Sequence, residues 1–397
     1  MLTAYERMEG GAVVWRCYDY GSEAEIPETV EGLPVAELAP YAFSAHMDEG
    51  LLEKGAREGR LRLWDSDNPA SSALSWEDAE LPPPLTGAAL TSVSLPPSLR
   101  KIGAYAFYNC SRLHTLRLHG GLMDLGAGLF TGCHAIRELA LRLDDGEKSC
   151  LREILIEVPE KLKVSLEGAV RAKLVFPEFF EESVENTPAR ILVVKTHGSG
   201  MNYRNCFYDR RFDFHAYDAC FFHAKAEEDF ETVLEMALGR LQYPAGLLSE
   251  ARKEYEDWLW AHREQALEKM VSDRDMEGLE FLTESFLQRA DSETNAGIDG
   301  GTDARVDTET DAGADTDTET DADAGADTGA EAERALGRAV SLAASRDFPE
   351  GVSFLMDALH RRSLRQTKAA EEREAEEREK EEKKAGAVPE RKGRFEL

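Results

Sequence analysis

Between residues 90 and 141 the apolar positions repeat with a period of 23. Leu90, Leu113 and Ile136 occupy one column. Val93, Leu116 and Leu139 form the next, and Leu95, Leu118 and Leu141 a third. Ile102 and Leu125, Gly103 and Gly126, Phe107 and Phe130, and Cys110 and Cys133 fall in the same register without a gap. The L-x-x-L-x-L phrase predicts a short strand whose alternate side chains share a face. Phe107 and Phe130 are predicted to fill the space behind the strand layer. One such unit cannot bury its own apolar face, so neighbouring units must stack. By alternation the outward positions are Ser92, Ser94, Thr115, Arg117, His119, Glu138 and Arg142, and these are the candidate binding residues.

A divergent copy precedes the array. Tyr41-Ala42-Phe43 matches Tyr105-Ala106-Phe107, with an insertion around Gly32-Leu33-Pro34. Residues 45–89 then interrupt the repeats. They are polar, contain Trp64, Trp76 and Pro82-Pro83-Pro84, and are expected to form a long surface insertion. The segment 90–110 resembles the BspA-type leucine-rich repeat, whose copies read roughly L-x-x-I-x-I-P-x-x-V-x-x-I-G-x-x-A-F-x-x-C. The opening VVWRCYDYGSEAEIPETVEGLPVAEL is similar to the first module of such arrays. The resemblance covers roughly residues 10–141. It implies a leucine-rich repeat solenoid with a protein-binding role and carries no catalytic residues. Many members of the family are exported surface proteins. The start of this chain departs from them in lacking a basic and then apolar leader.

Beyond the repeats the period changes. REILIEV, LKVSLE, AKLVFPEF and ARILVVKT in residues 151–196 are expected to be strands that close the stack. Residues 178–186, after Pro177, are expected to be a short helix. From about 226 the spacing is helical: Phe230, Val233, Leu234, Met236, Ala237 and Leu241 lie largely on one stripe, and Pro244 ends it. A second, weaker repeat aligns residues 272–282 with 345–355. Its shared columns are Glu277/Glu350, Gly278/Gly351, Phe281/Phe354 and Leu282/Leu355. It predicts paired antiparallel helices, ankyrin-like or of another α-solenoid type.

Charge changes the picture in one segment. The net charge is −30, and residues 291–333 hold 15 acids against Arg305 alone. That stretch has no aromatic residue and almost no aliphatic one, so it is expected to be a disordered acidic spacer. Its alternating acids lack the Gly turn and closing Glu of a calcium loop. Residues 361–397 mix both signs at i,i+3 and i,i+4, as in an exposed helix. They have no apolar seam for a coiled coil. The acidic balance argues against a general nucleic-acid binder, and no apolar run is long enough to span a membrane. The six cysteines form no C-x-x-C pair, and with no leader they are expected to be reduced in a cytoplasm. Cys110 and Cys133 share a column close enough for a disulfide, but packed thiols are favoured.

Candidate chemistry concentrates in residues 197–223. Cys206, His215, Cys220 and His223 are the residue types of a tetrahedral zinc site. Their spacing matches no zinc finger, and packing of Phe207, Tyr208, Phe212, Phe214, Tyr217, Phe221 and Phe222 is the favoured account. His197-Gly198-Ser199-Gly200 follows a predicted strand but lacks the first Gly of a nucleophile elbow. Arg204, Arg210 and Arg211 are expected to pair with Asp209, Asp213 and Asp218 rather than with nucleic acid.

The sequence therefore reads as an α+β chain. Residues 1–150 form a leucine-rich repeat domain with the 45–89 insertion, and 151–225 a strand-rich cap with an aromatic loop. A helical module spans 226–290, an acidic linker 291–333, a helical pair 334–360 and a charged tail 361–397. The expected role is non-catalytic protein–protein binding through the strand face, the helical module or both. The expected partner is an unidentified protein, with no nucleic acid, membrane or cofactor involved. Two alternatives stand beside it: a metal- or Cys-dependent enzyme centred on 197–223, and a surface adhesin by family analogy.

Overall fold

A computed structural model describes residues 1–68, 76, 79–144, 148–186, 191–299 and 322–386. The chain opens with two antiparallel strands, β1 (Leu2–Met8) and β2 (Gly11–Tyr18). Short strands β3 (Glu23–Glu25), β4 (Thr29–Val30) and β5 (Leu33–Leu38) follow. The 45–89 stretch is not a mere surface insertion. It supplies helix α1 (Glu49–Arg57) and strand β6 (Leu61–Asp65), which pairs antiparallel with β1. The alternation in Leu61-Arg62-Leu63 is the physical reason, since both leucines are almost fully buried. Residues 83–85 return along β2 through Asp19 N–H to Pro83 O and Leu85 N–H to Cys17 O.

The first two repeats each give one strand to each of two sheets, and the third gives a strand to the first sheet only. Strands β7 (Ser92–Ser94), β9 (Thr115–His119) and β11 (Glu138–Leu143) run parallel, and β8 (Lys101–Ile102) and β10 (Asp124–Leu125) pair in parallel on the other side. Register holds the 23-residue offset, with Ser92 opposite Thr115 and Thr115 opposite Glu138. Between the sheets Phe43, Phe107 and Phe130 stack, with ring centroids 5.2 and 5.7 Å apart. Cys110 and Cys133 are free thiols that donate to the carbonyls of Phe43 and Phe107, 3.2 and 2.9 Å away. Each thiol thus fastens its repeat to the one before.

The glycine column has a steric cause. A Cβ on Gly103 would lie 2.3 Å from Pro40 N, and one on Gly126 would lie 2.3 Å from Ala104 N. Backbone, not a flexible side chain, occupies the space. Gly126→Ala is therefore expected to cost about 1–3 kcal/mol or more. A urea midpoint that does not move would show that the stack yields freely.

A cap ends the parallel array. It comprises α2 (Leu151–Glu157), β12 (Leu162–Gly168), β13 (Ala172–Phe176), β14 (Phe180–Asn186) and β15 (Ile191–His197). Two expectations fail here. REILIEV is a helix, because Leu151, Ile154 and Leu155 bury one face at helical spacing. Residues 178–186 are a strand after Pro177, because β14 pairs along its whole length with the β-branched β15. Strand β12 continues the parallel register beside β11, and β13 turns back antiparallel. The first sheet thus has the order β13-β12-β11-β9-β7-β3. The second runs β10-β8-β5-β2-β1-β6, with β4 attached to β5. Among the described residues neither closes into a barrel.

Next come α3 (Gly200–Arg204), the hairpin β16 (Phe207–Tyr208) and β17 (Arg211–Phe212), α4 (Phe214–Ala219), α5 (Phe221–Glu227) and α6 (Phe230–Gln242). They cover the edge of β13. The Tyr217 hydroxyl accepts from Val175 N–H at 3.1 Å and donates to Val175 C=O at 2.8 Å, satisfying backbone groups that a bare edge would leave open. Helix α6 approaches β13 where Gly239 leaves room. A Cβ there would meet Lys173 O at 2.6 Å.

The chain divides into two compact units, Met1–Glu256 and Asp257–Leu397, with the division inside α7 (Ser249–Ala261). The second unit contains α8 (Arg263–Asp273), α9 (Met276–Asp299), α10 (Ala322–Ser345) and α11 (Pro349–Gly386). The weak repeat marks the turns between α8 and α9 and between α10 and α11. Arg274 and Asp347, in equivalent positions, both take left-handed backbone, and the Arg274 guanidinium donates to Arg346 O and Asp347 O at 3.2 Å. The acidic 291–333 stretch is not a spacer at its described ends. Helix α9 runs on through Asp299 and α10 begins at Ala322, extending the helices that pack before and after it. Residues 300–321 lie outside the described residues. The charged tail is helical as far as Gly386. Among the described residues no helix is long and apolar enough to cross a membrane.

Candidate binding face

The strands of the first sheet turn one side toward the core and the other toward solvent. Val93, Leu116, Leu118, Leu139, Leu141, Val164 and Leu166 are buried on the inner side. The alternate residues make rows across the outer side. Glu23, Ser92, Thr115, Glu138 and Lys163 form one row. Glu25, Ser94, Arg117, Ala140, Ser165 and Lys173 form the next, and His119, Arg142 and Glu167 the third. All seven residues singled out by alternation thus lie on this face. Arg117, Glu138 and Arg142 are exposed, and Ser92, Ser94, Thr115 and His119 are half-buried.

Neighbouring strands tie these side chains together. Arg117 Nη1 donates to Ser92 Oγ at 3.2 Å, and Thr115 Oγ1 donates to Glu138 Oε2 at 3.3 Å. At the far corner Asp144 accepts from Arg142 Nε and His119 Nε2, both at 2.8 Å. Gly121 N–H donates to His119 Nδ1 at 3.3 Å, which assigns the proton to Nε2 in the neutral ring. The Arg142 guanidinium, with His119 beside it, holds Asp144 below the usual carboxylate range. Where β12 ends the parallel run, Glu235 of α6 takes Lys161 at 2.8 Å and Lys163 at 2.7 Å.

The face also holds residues outside the seven expected ones. Lys163, Ser165 and Glu167 were signalled by the alternation in LKVSLE. Glu23 and Glu25 had no repeat signature, because β3 joins the sheet only through its pairing with β7.

The 197–223 stretch does not converge into a metal site. Cys206 Sγ lies 3.9 Å from Cys220 Sγ, but His215 is exposed on α4. His223 meets Glu227 at 3.3 Å and stacks near Phe222. Among the described residues no group of three or more His, Cys, Asp or Glu is placed to hold a metal ion. The hydrogen bond between the two sulfurs, with burial, pushes the Cys206 thiol up, and the same bond lowers Cys220. Ser199 is fully buried, and its Oγ donates to Glu228 Oε1 at 2.7 Å, so no nucleophile is presented there. His197 stacks on Phe180 and meets Glu182 at 3.1 Å.

Phe207, Phe212, Phe214, Tyr217 and Phe221 pack as expected, whereas Tyr208 and Phe222 do not: they are 79% and 57% exposed. Phe212 makes edge-to-face contacts with Phe176, Phe207, Phe214 and Tyr217 at 4.9–5.9 Å. The arginine pairs differ from the expectation. Arg204 is buried and bonds the carbonyls of Leu155, Pro177, Val158, Glu160 and Gly200, while burial pushes it down to about 10. Arg210 pairs with Glu153, and Asp209 with Lys148. Asp218 takes Arg240, and Asp213 caps α4. Arg204 and Asp218 are drawn into the interior, where backbone carbonyls and Arg240 take them, so the charges close in sequence do not pair.

No curated protein and no solved structure matches the chain. The family model described as BspA type leucine rich repeat region (6 copies) matches residues 86–154. The matched span holds the β7, β9 and β11 repeats with their shared register and phenylalanine stack. The similarity to this family is thus confined to residues 86–154.

Proposed function

We propose that this protein is a non-catalytic binding scaffold whose first unit is a short leucine-rich repeat solenoid and whose outer strand face receives another protein. The observation that carries this is the in-register array of polar side chains from Glu23 across to Lys163 on one uninterrupted sheet. A sheet prices no backbone reorganisation on docking, and its side chains are already held by cross-strand bonds, so little is lost on association. The rows mix Glu23, Glu25, Glu138 and Glu167 with Arg117, Arg142 and Lys163. Such a pattern fits a protein surface of mixed charge rather than a polyanion. The paired helices of the second unit are read as an α-solenoid-type module that adds a second contact surface.

The test places a photoreactive residue at Arg117 or Arg142 and, as a control, at Arg112, which is exposed between repeats. Crosslinking in cells is expected to give one discrete adduct from positions 117 and 142 only. Arg117→Glu together with Arg142→Glu is expected to weaken capture of that same protein by about tenfold or more, as for charged contacts at an interface. Equal adducts from position 112, or none from the strand face, would sink the reading.

A further inference from the structure

We propose that the cleft between β2 and α1 binds a small zwitterion of the α-amino-acid class, its carboxylate on Arg16 and its ammonium at Glu49. The site lies away from the strand face, and the inference does not depend on the binding role proposed for that face.

The argument starts from how this protein treats buried arginines. Arg16, Arg204, Arg240 and Arg362 are the buried arginines among the described residues. Arg240 is neutralised by Asp218, with both carboxylate oxygens bonded at 2.7 and 2.9 Å. Arg204 spends Nε, Nη1 and Nη2 on five carbonyls. Arg362 has Glu333 at 3.4 Å and Asp291 at 3.6 Å. Arg16 has neither arrangement. Its Nη1 donates to Ala42 O at 3.2 Å and Ser44 O at 2.8 Å. Among the described residues no acceptor bonds its Nε or Nη2, and no carboxylate lies within ion-pair reach. Burying a cation without a counter-charge is costly, and an incoming carboxylate would relieve that cost. Burial lowers Arg16 from its ordinary value, in keeping with that cost.

Arg16 lines a cleft of about 480 Å³, within the range of small-molecule sites. Tyr18, Leu52 and Trp76 supply apolar wall, and the Trp76 indole N–H is fixed on Leu61 O at 3.0 Å. Glu49, the first residue of α1, lines the same cleft. Among the described residues Glu49 makes no ion pair, whereas its neighbour Glu53 is tied to Arg57 at 3.6 Å. The cleft therefore presents a buried cation and an exposed anion that do not reach each other. A plain carboxylate would satisfy Arg16 and meet repulsion from Glu49. An amine would do the reverse. A free amino acid with an apolar side chain complements the cation, the anion and the apolar wall together.

The test is calorimetric titration of the full chain with L-leucine, L-phenylalanine and L-tryptophan, each alone. Their amides and N-acetyl forms follow as probes. The expected result is saturable one-site binding of at least one free amino acid. Its amide and its N-acetyl form should each bind about tenfold or more weaker, the scale of one lost charge-assisted bond. Glu49→Gln is expected to weaken the free amino acid by a similar factor and leave the N-acetyl form unaffected. Arg16→Gln is expected to abolish binding. Because Arg16 also holds the Ala42 and Ser44 carbonyls, that variant needs an unchanged circular-dichroism melt to count. Glu49 is exposed, so its variant tests the site without that burden. No binding of any of the three amino acids at millimolar concentration overturns the proposal. So does an N-acetyl form that binds as tightly as the free amino acid, or a Glu49→Gln chain that binds normally.

Discussion

Asp218→Ala is expected to destabilise the first unit by about 3–5 kcal/mol, the cost of leaving a buried charge without its partner. Asp218 and Arg240 have side-chain exposures of 3% and 0%, and their two-point contact is the interior anchor of the α4–α6 region. The Tyr255 hydroxyl also donates to Asp218 Oδ1 at 2.9 Å. Burial, and after it the charge of Asp218, holds the Tyr255 phenol well above its ordinary value, so it remains a donor. Without Asp218 the guanidinium keeps Ala245 O at 2.9 Å, Tyr243 O at 3.4 Å and the face of Phe214 at 5.0 Å. None of these carries a full negative charge. Urea unfolding followed on the first unit's transition measures the loss. The double variant Asp218→Ala/Arg240→Met is expected to recover part of it, since removing both charges removes the unpaired one. A single variant within about 1 kcal/mol of the parent would mean that water reaches Arg240 and that the pair is not structural.

Phe107→Ala is expected to cost a similar about 3–5 kcal/mol, by a different route. Phe107 is fully buried and is the middle ring of the three, stacked on Phe43 on one side and Phe130 on the other. Truncation opens a cavity that touches two repeats at once, and the backbone cannot close it because Gly103 and Gly126 already sit against the backbone of the preceding repeat. Phe130→Ala, at the end of the stack, is expected to cost less. The comparison is made on denaturation midpoints at constant slope. Equal losses at the two positions would show that the rings contribute only their area and that their stacking adds nothing. The Phe107 variant bears on function too. The repeats it joins hold Ser92, Thr115 and Glu138 in line, so the crosslinks from positions 117 and 142 should fade as the stack loosens.

The repeats were legible because their signal is local and redundant. Leu116 and Leu118 alternate, Phe107 and Phe130 recur, and every column repeats at a fixed offset, so one-dimensional order already encodes the stacking order. The same alternation alone puts Arg117 and Arg142 on one face. The cap was less legible. Leu151, Ile154 and Leu155 fit a helix, yet the run was short and apolar enough to pass for a strand. Phe180–Asn186 contains acids and reads as polar, and only pairing with Ile191–His197 makes it a strand.

The chain by itself determined the 23-residue period, the strand faces, the weak repeat that aligns 272–282 with 345–355, and most of the aromatic packing around Phe212. These depend on neighbours in sequence or on simple repetition. Tertiary structure decided the rest. It joined Leu61–Asp65 to β1, gave Tyr217 to the edge of β13, separated His215 and His223 from Cys206, and sent Asp218 to Arg240 rather than to a nearby arginine. It also left Arg16 facing a cleft with two carbonyls on its guanidinium and, among the described residues, no carboxylate within ion-pair reach. Such pairings depend on which distant groups share a low-dielectric interior, and the free energy of a buried charge is fixed by those neighbours, not by its place in the chain.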